Sequence, residues 1–238
     1  MNSKVRLHVA GPLGPGQSVE VTRDQAHYLS GVMRLSPGDT LEVFDGVSGG
    51  WRAGIAALSK RGGTLTCDTQ ITPQRDPPDL WLIFAPIKKA RTDFIVEKAA
   101  ELGAARILPV TTDHTNSERI RRDRLQAHAV EAAEQCGGTF VPEVAELIPL
   151  PRLLDAWPDD RTLIFCDETL AGDTTPPLPP APVAILIGPE GGFSTEERAR
   201  LRATRRGTTL ALGPRILRAD TAAVAALALW QTTQGDWV

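Results

Sequence analysis

The chain has 238 residues, 42% of them apolar and 23% charged, with a formal net charge of −3. That suffices for one large globular domain or two modest ones, and the charge neither supports nor excludes a structured RNA partner. Three scattered cysteines, Cys67, Cys136 and Cys166, form no CxxC pair, so they suggest neither a disulfide framework nor a zinc site and fit a reducing cytoplasm. No apolar run approaches the ~20 residues that span a bilayer, and the N-terminus lacks an apolar core of signal-peptide length.

Residues 1–73 read as mostly β. KVRLHVA, TLEVFDG, WRAGIAAL and GTLTCDTQI are short runs with partial alternation, separated by turn signals such as Pro37-Gly38-Asp39 and Gly49-Gly50. One helix is predicted near Asp24–Met33, with Asp24 as its N-cap. GPLGPG (11–16) has a GxxGxG spacing, but the alternating run SVEVT follows it, so it reads as a loop and not as a phosphate site. Several short strands with one helix suggest a small barrel. Residues 73–79, PQRDPPD, combine three prolines with charge and mark the domain boundary.

Beyond it the pattern changes. LWLIFA (80–85) precedes a helix predicted over Thr92–Leu102 and stopped by Gly103. RILPV (106–110) precedes a helix over Arg121–Cys136, stopped by Gly137-Gly138. TLIFCD (162–167) leads into a Pro-rich loop, TTPPLPPAP (174–182). VAILIG (183–188) and TTLAL (208–212) each run through a glycine-bearing turn into a helix. Strands alternating with helices imply a largely parallel α/β sheet.

The two turns carry the chemistry. IGPEGGF (187–193) follows a buried strand end, and Gly188, Gly191 and Gly192 relieve Cβ clashes where the backbone bends or a ligand approaches. Ser194–Glu197, STEE, is a capping box that starts a helix. LGPRILRADTAA (212–223) repeats the strand–turn–helix arrangement, with Asp220 or Thr221 available as a cap. Arg218 reads either as half of a surface pair with Asp220 or as a cation aimed at an anionic substrate group. Neither turn is a GxxxxGK[ST] loop or a Rossmann GxGxxG. Asp113-His114 is a further acid/base candidate. Cationic clusters stand at Lys88, Lys89 and Arg91, at Arg119, Arg121, Arg122 and Arg124, and at Arg215 with Arg218, each equally readable as a solvated helix face.

These turns resemble the cofactor-binding knot loops of the SPOUT methyltransferases, and within them the ribosomal small subunit methyltransferase E family. KKARTDFIVEKAAELG (88–103) resembles that family's Lys/Arg-rich loop and KAxELG helix, and HAVEAAEQCGGTFVPEV (128–144) its EAxEQ-[SC]-GR-xx-P segment, with Gly138 where the family commonly has Arg. RADTA (218–222) stands where the family usually shows RTETA, and HYLSGVMRLSPGD (27–39) resembles its H-xx-xVLR-xxxGD pattern.

The resemblance implies an α/β SPOUT domain over 79–238 with a C-terminal trefoil knot, preceded by a PUA-like RNA-binding β-barrel over 1–73. It implies a cytoplasmic homodimer that uses S-adenosylmethionine to methylate N3 of a uridine in 16S rRNA of the small subunit. A non-catalytic RNA-binding assembly factor that keeps the fold is the alternative. Cofactor binding would fall to Gly188, Gly191, Gly192, Leu212, Gly213, Ile216 and Leu217, and RNA binding to Lys88, Lys89, Arg91 and Arg34. Uridine N3 must lose a proton to attack, so a cation near the developing O2 or O4 charge would help. Arg218 is the expected catalytic cation; Glu190 or Asp220 is a base or orients Arg218.

Overall fold

The computed structural model describes residues 5–117, 119–172 and 177–238. The start of the Pro-rich run 174–182 and the first residue of KVRLHVA lie outside these. The chain divides into two compact units, Met1–Asp76 with Ala133–Val141, and Pro77–Ala132 with Pro142–Val238. The expected boundary at 73–79 contains the Asp76/Pro77 division; a linear reading does not anticipate that Ala133–Val141 groups with the first unit.

The first unit holds β1 (Arg6–His8), β2 (Ser18–Val21), α1 (Arg23–His27), β3 (Thr40–Phe44), β4 (Gly50–Ser59) and β5 (Gly62–Thr72). Its sheet runs β1-β3-β4-β5-β2, with β1–β3 parallel and the other pairs antiparallel. Register shifts along β4–β5 bend the sheet as bulges do. Leu41, Val43, Ala53, Ile55 and Leu65 point into one core with Ala26 and Leu29 of the helical segment. Thr22, not Asp24, caps α1: its side chain and that of Gln25 form a reciprocal capping box, and Asp24 falls in the first turn. The helix continues as a π-helical turn, Tyr28–Val32, and the chain then reverses through Arg34 at φ 57°. Arg6 ties Ala133–Val141 to this unit by donating to the carbonyls of Ala133 (2.9 Å) and Gly138 (3.0 Å).

In the second unit, β6 (Leu80–Phe84), α2 (Lys89–Glu101), β7 (Arg106–Thr111) and α3 (Arg122–Cys136) come first. The short β8 (Glu143–Val144), β9 (Ile148–Pro149) and α4 (Leu150–Asp155) follow, then β10 (Thr162–Cys166), β11 (Val183–Ile187), α5 (Thr195–Ala203), β12 (Gly207–Leu210) and α6 (Ala219–Gln234). The sheet order is β12-β10-β11-β6-β7-β8, with β9 beside β7, and every pair is parallel. Strands buried on both faces need continuous apolar runs. β11, Val183–Ile187, is buried at every position. Gly103 ends α2 at φ 72°, where a Cβ would also crowd the Gln231 amide of α6 at 2.7 Å.

Candidate active site

In this sheet order β10 lies between β11 and β12, so three consecutive strand ends, Cys166, Ile187 and Leu210, open on one edge. A cavity of about 210 Å³ lies there. The glycine turn after β11 supplies Gly188, Pro189, Glu190 and Gly192 to its wall. The turn after β12 supplies Leu212, Gly213, Arg215, Ile216, Leu217 and Arg218. A third segment, Cys166–Glu168 with Ala171, completes it; sequence reading gave that loop no role. Of the expected cofactor residues Gly191 does not line the cavity, and of the expected catalytic residues Asp220 does not.

The turn after β11 is held from several sides. His114 Nδ1 lies 3.0 Å from the Gly191 carbonyl and 3.1 Å from that of Gly192. Carbonyls only accept, so this nitrogen carries the proton. A Cβ on Gly191 would come within 3.0 Å of the His114 Cβ. Ser194 Oγ donates to Asp113 at 2.6 Å, and Glu197 accepts from the amides of Ser194 and Asp113, both at 2.9 Å. Asp113 and His114 therefore brace the turn, which accounts for both without an acid/base role. Gly192 sits at φ 68°, and a Cβ there would come within 2.9 Å of Glu168 Cδ. Its left-handed backbone is what requires glycine, while the flexible end of Glu168 would have to shift to admit a Cβ.

The third loop is anchored by ions. Asp167 accepts from Thr169 Oγ1 (2.7 Å), Arg202 (3.0 Å) and Arg198 (3.3 Å). Burial alone would raise its carboxyl pKa, but these hydrogen bonds outweigh burial and hold it below the ordinary value. Arg198 also pairs with Glu168 and donates to the Phe193 carbonyl, joining this loop to the turn after β11. The Gly172 amide donates to Gly213 at 3.1 Å, joining it to the turn after β12. Burial pushes the Cys166 thiol up to about 12, which leaves it inert as a nucleophile.

Two arginines, Arg215 and Arg218, stand in the cavity wall. Among the described residues, no hydrogen bond or ion pair engages the exposed side chains of Arg215 and Arg218. Arg218 is the N-cap of α6 through its extended backbone, so neither Asp220 nor Thr221 caps the helix. Asp220 does not pair with Arg218. It lies 3.6 Å from Arg91, whose guanidinium also meets Glu190 at 3.0 Å. Lys88 and Lys89 line a neighbouring cavity of about 280 Å³, with Asn116 and Ser117, which shares Pro189 and Glu190 with the first. Arg34 is exposed in the first unit.

An apolar, glycine-edged cavity at the strand ends of a parallel sheet, with two arginines at its mouth and a lysine-lined neighbour, marks an α/β ligand-binding domain. The family model described as RNA methyltransferase domain matches residues 74–231, and that described as RNA methyltransferase PUA domain matches residues 21–66. The chain belongs to this RNA methyltransferase family.

Its relatives are more particular. It is 32% identical over 223 residues to the ribosomal RNA small subunit methyltransferase E of Synechocystis, covering 89% of this chain and 72% of that one. It is 26% identical over 229 residues to that of Rickettsia conorii, covering 94% and 93%. The crystal structure of a ribosomal RNA small subunit methyltransferase E from Neisseria gonorrhoeae bound to S-adenosyl methionine superposes with a TM-score of 0.88 at 28% identity, covering 98% of this chain and 99% of that one.

Proposed function

We propose that this protein transfers a methyl group from S-adenosylmethionine to N3 of a uridine in 16S rRNA of the small ribosomal subunit. The observation that carries the reading is the cavity at the β10, β11 and β12 ends, with Arg218 at its wall. The residues present suit the cofactor. Leu210, Leu212, Ile216 and Leu217 give apolar wall for an adenine. Among the described residues the amides of Leu212, Ile216 and Leu217 make no hydrogen bond, so they are available to a ligand acceptor. When bound, S-adenosylmethionine supplies an electrophilic methyl group on a sulfonium.

The chain's own task is to deliver uridine N3 without its proton and in line. The N3 proton passes to solvent water, and Arg218 stabilises the negative charge that this leaves on the uracil carbonyl oxygens. The turns after β11 and β12 fix the approach, which supplies acceleration through positioning. Lys88 and Lys89 contact RNA phosphates at the neighbouring cavity, and Arg34 contacts RNA from the PUA-like unit. The same reading includes a C-terminal trefoil knot, a homodimer and action in the cytoplasm. Nucleoside mass spectrometry of 16S rRNA from a strain lacking the gene tests it. Loss of 3-methyluridine, restored by the wild-type gene, supports the enzyme; an unchanged nucleoside profile favours the non-catalytic assembly factor.

A further inference from the structure

The family resemblance implies an RNA-binding role for Arg91 beside Lys88 and Lys89. Its guanidinium joins two segments that are far apart in sequence. It is the third residue of α2, and it stands 3.0 Å from Glu190 after β11 and 3.6 Å from Asp220 in the first turn of α6. Glu190, the α6 N-cap Arg218 and the first α6 residue Ala219 are walls of the cavity. The three side chains are only 20–39% exposed, so solvent screens them less than a surface pair. The planar fork of arginine can serve two acceptors in fixed directions, which a lysine ammonium cannot do as well. Asp220 does not line the cavity, and Glu190 Oε1 receives the Arg91 N–H.

We infer that Arg91 is a positioning residue: it clamps the turn after β11 to the start of α6 through Glu190 and Asp220, and both carboxylates serve that clamp rather than proton transfer. The inference rests on the methyltransferase reading for its kinetic consequences, but the clamp itself is testable without turnover. Releasing the clamp lets Arg218 and the opposite wall drift apart, and small misplacements of this kind cost about 10²-fold in rate.

The test compares Arg91→Ala, Arg91→Lys and the double variant Glu190→Gln/Asp220→Asn with wild type. Amide hydrogen exchange of 188–194 and 213–219 is followed in the protein without ligand, and methylation of purified 30S subunits with labelled S-adenosylmethionine gives kcat and KM. The clamp predicts faster exchange in both segments together, a kcat lowered about 10²-fold and a 30S KM within about twofold. The double carboxylate variant should reproduce the loss, and adding Arg91→Ala to it should change nothing more, because coupled residues are not additive. Arg91→Lys should recover part of the rate, and with the double variant it keeps the test open if Arg91→Ala does not fold.

A raised 30S KM with unchanged exchange would make Arg91 an RNA contact and overturn the clamp. Loss of turnover in Glu190→Gln alone, with its pH dependence flattened and Arg91→Ala active, would make Glu190 the base and overturn it equally. If wild type methylates no subunit, the functional reading fails, and the exchange data alone decide the clamp.

Discussion

Single residues decide whether the cavity can do the proposed chemistry. Arg218 has no partner among the described residues, so its charge is available to a substrate. Arg218→Ala should lower single-turnover methylation by roughly 10²–10³, the usual loss for one preorganised donor, with little change in cofactor affinity. Raising the pH should partly rescue it, because more uridine ionises unaided; a deficit equal at every pH in the pH–rate profile would assign Arg218 to RNA positioning. Gly192 illustrates how sequence and structure share an explanation. The need for glycine is legible in the turn and follows from its left-handed backbone, but the Glu168 side-chain end that a Cβ would displace comes from a loop 24 positions away and is not legible. Gly192→Val should cost about 2 kcal/mol for the left-handed backbone alone, read by urea denaturation, beyond any loss of ligand binding. Asp167 links the site to acid stability. Its folded pKa is depressed, so its contribution is complete above the ordinary aspartate value of about 3.9 and is lost as pH falls through the lower folded value. Urea midpoints of wild type should fall across that acid window, and Asp167→Asn, though less stable at neutral pH, should show a flatter acid limb.

At the scale of elements, the two glycine turns were readable because each joins an apolar run to a capped or alanine-rich helix. The STEE signal at α5 corresponds to a formed capping box, Ser194 with Glu197. Glu197 also takes the Asp113 amide from the loop after β7. Ser194→Ala should therefore cost about 1 kcal/mol, and Glu197→Ala about 2 kcal/mol, since two amides lose their acceptor. A loss for Glu197→Ala no larger than the ordinary cap loss of about 1 kcal/mol in thermal or urea melts would show that the Asp113 amide bond to Glu197 contributes nothing. The third loop, Asp167–Ala171, had no such signal. It became part of the site only because β10 inserts between β11 and β12, and strand order is a property of pairing that local patterns do not encode. The same limit hid Arg91, which reads as one of three neighbouring cations until Glu190 and Asp220 fold against it. The N-cap of α6 lies two or three residues before the expected Asp220 or Thr221, because the polar run RADT offers several caps and the helix starts from the extended backbone of Arg218.

For the whole molecule, the change from short alternating strands to α/β repeats was plain in the sequence, and the proline-rich segment marked where it occurs. The membership of Ala133–Val141 in the first unit was not, since it depends on Arg6 and on the Arg75 amide, which donates to Thr139 at 3.1 Å. The described residues contain no helix long and apolar enough to cross a membrane. A chain beginning at Pro77 would keep the cavity residues but deprive Ala133–Val141 of these partners. It should still bind S-adenosylmethionine by calorimetry, with faster exchange at 133–141, and lose methylation of 30S subunits; normal methylation would remove the first unit from substrate recognition. The most direct test of the account is to incubate the purified protein with S-adenosylmethionine and 30S subunits from a strain lacking the gene, then digest the 16S rRNA and identify the new nucleoside by mass spectrometry. The account predicts 3-methyluridine, at no more than one per subunit. A different methylated nucleoside, or none while the cofactor binds, would contradict it.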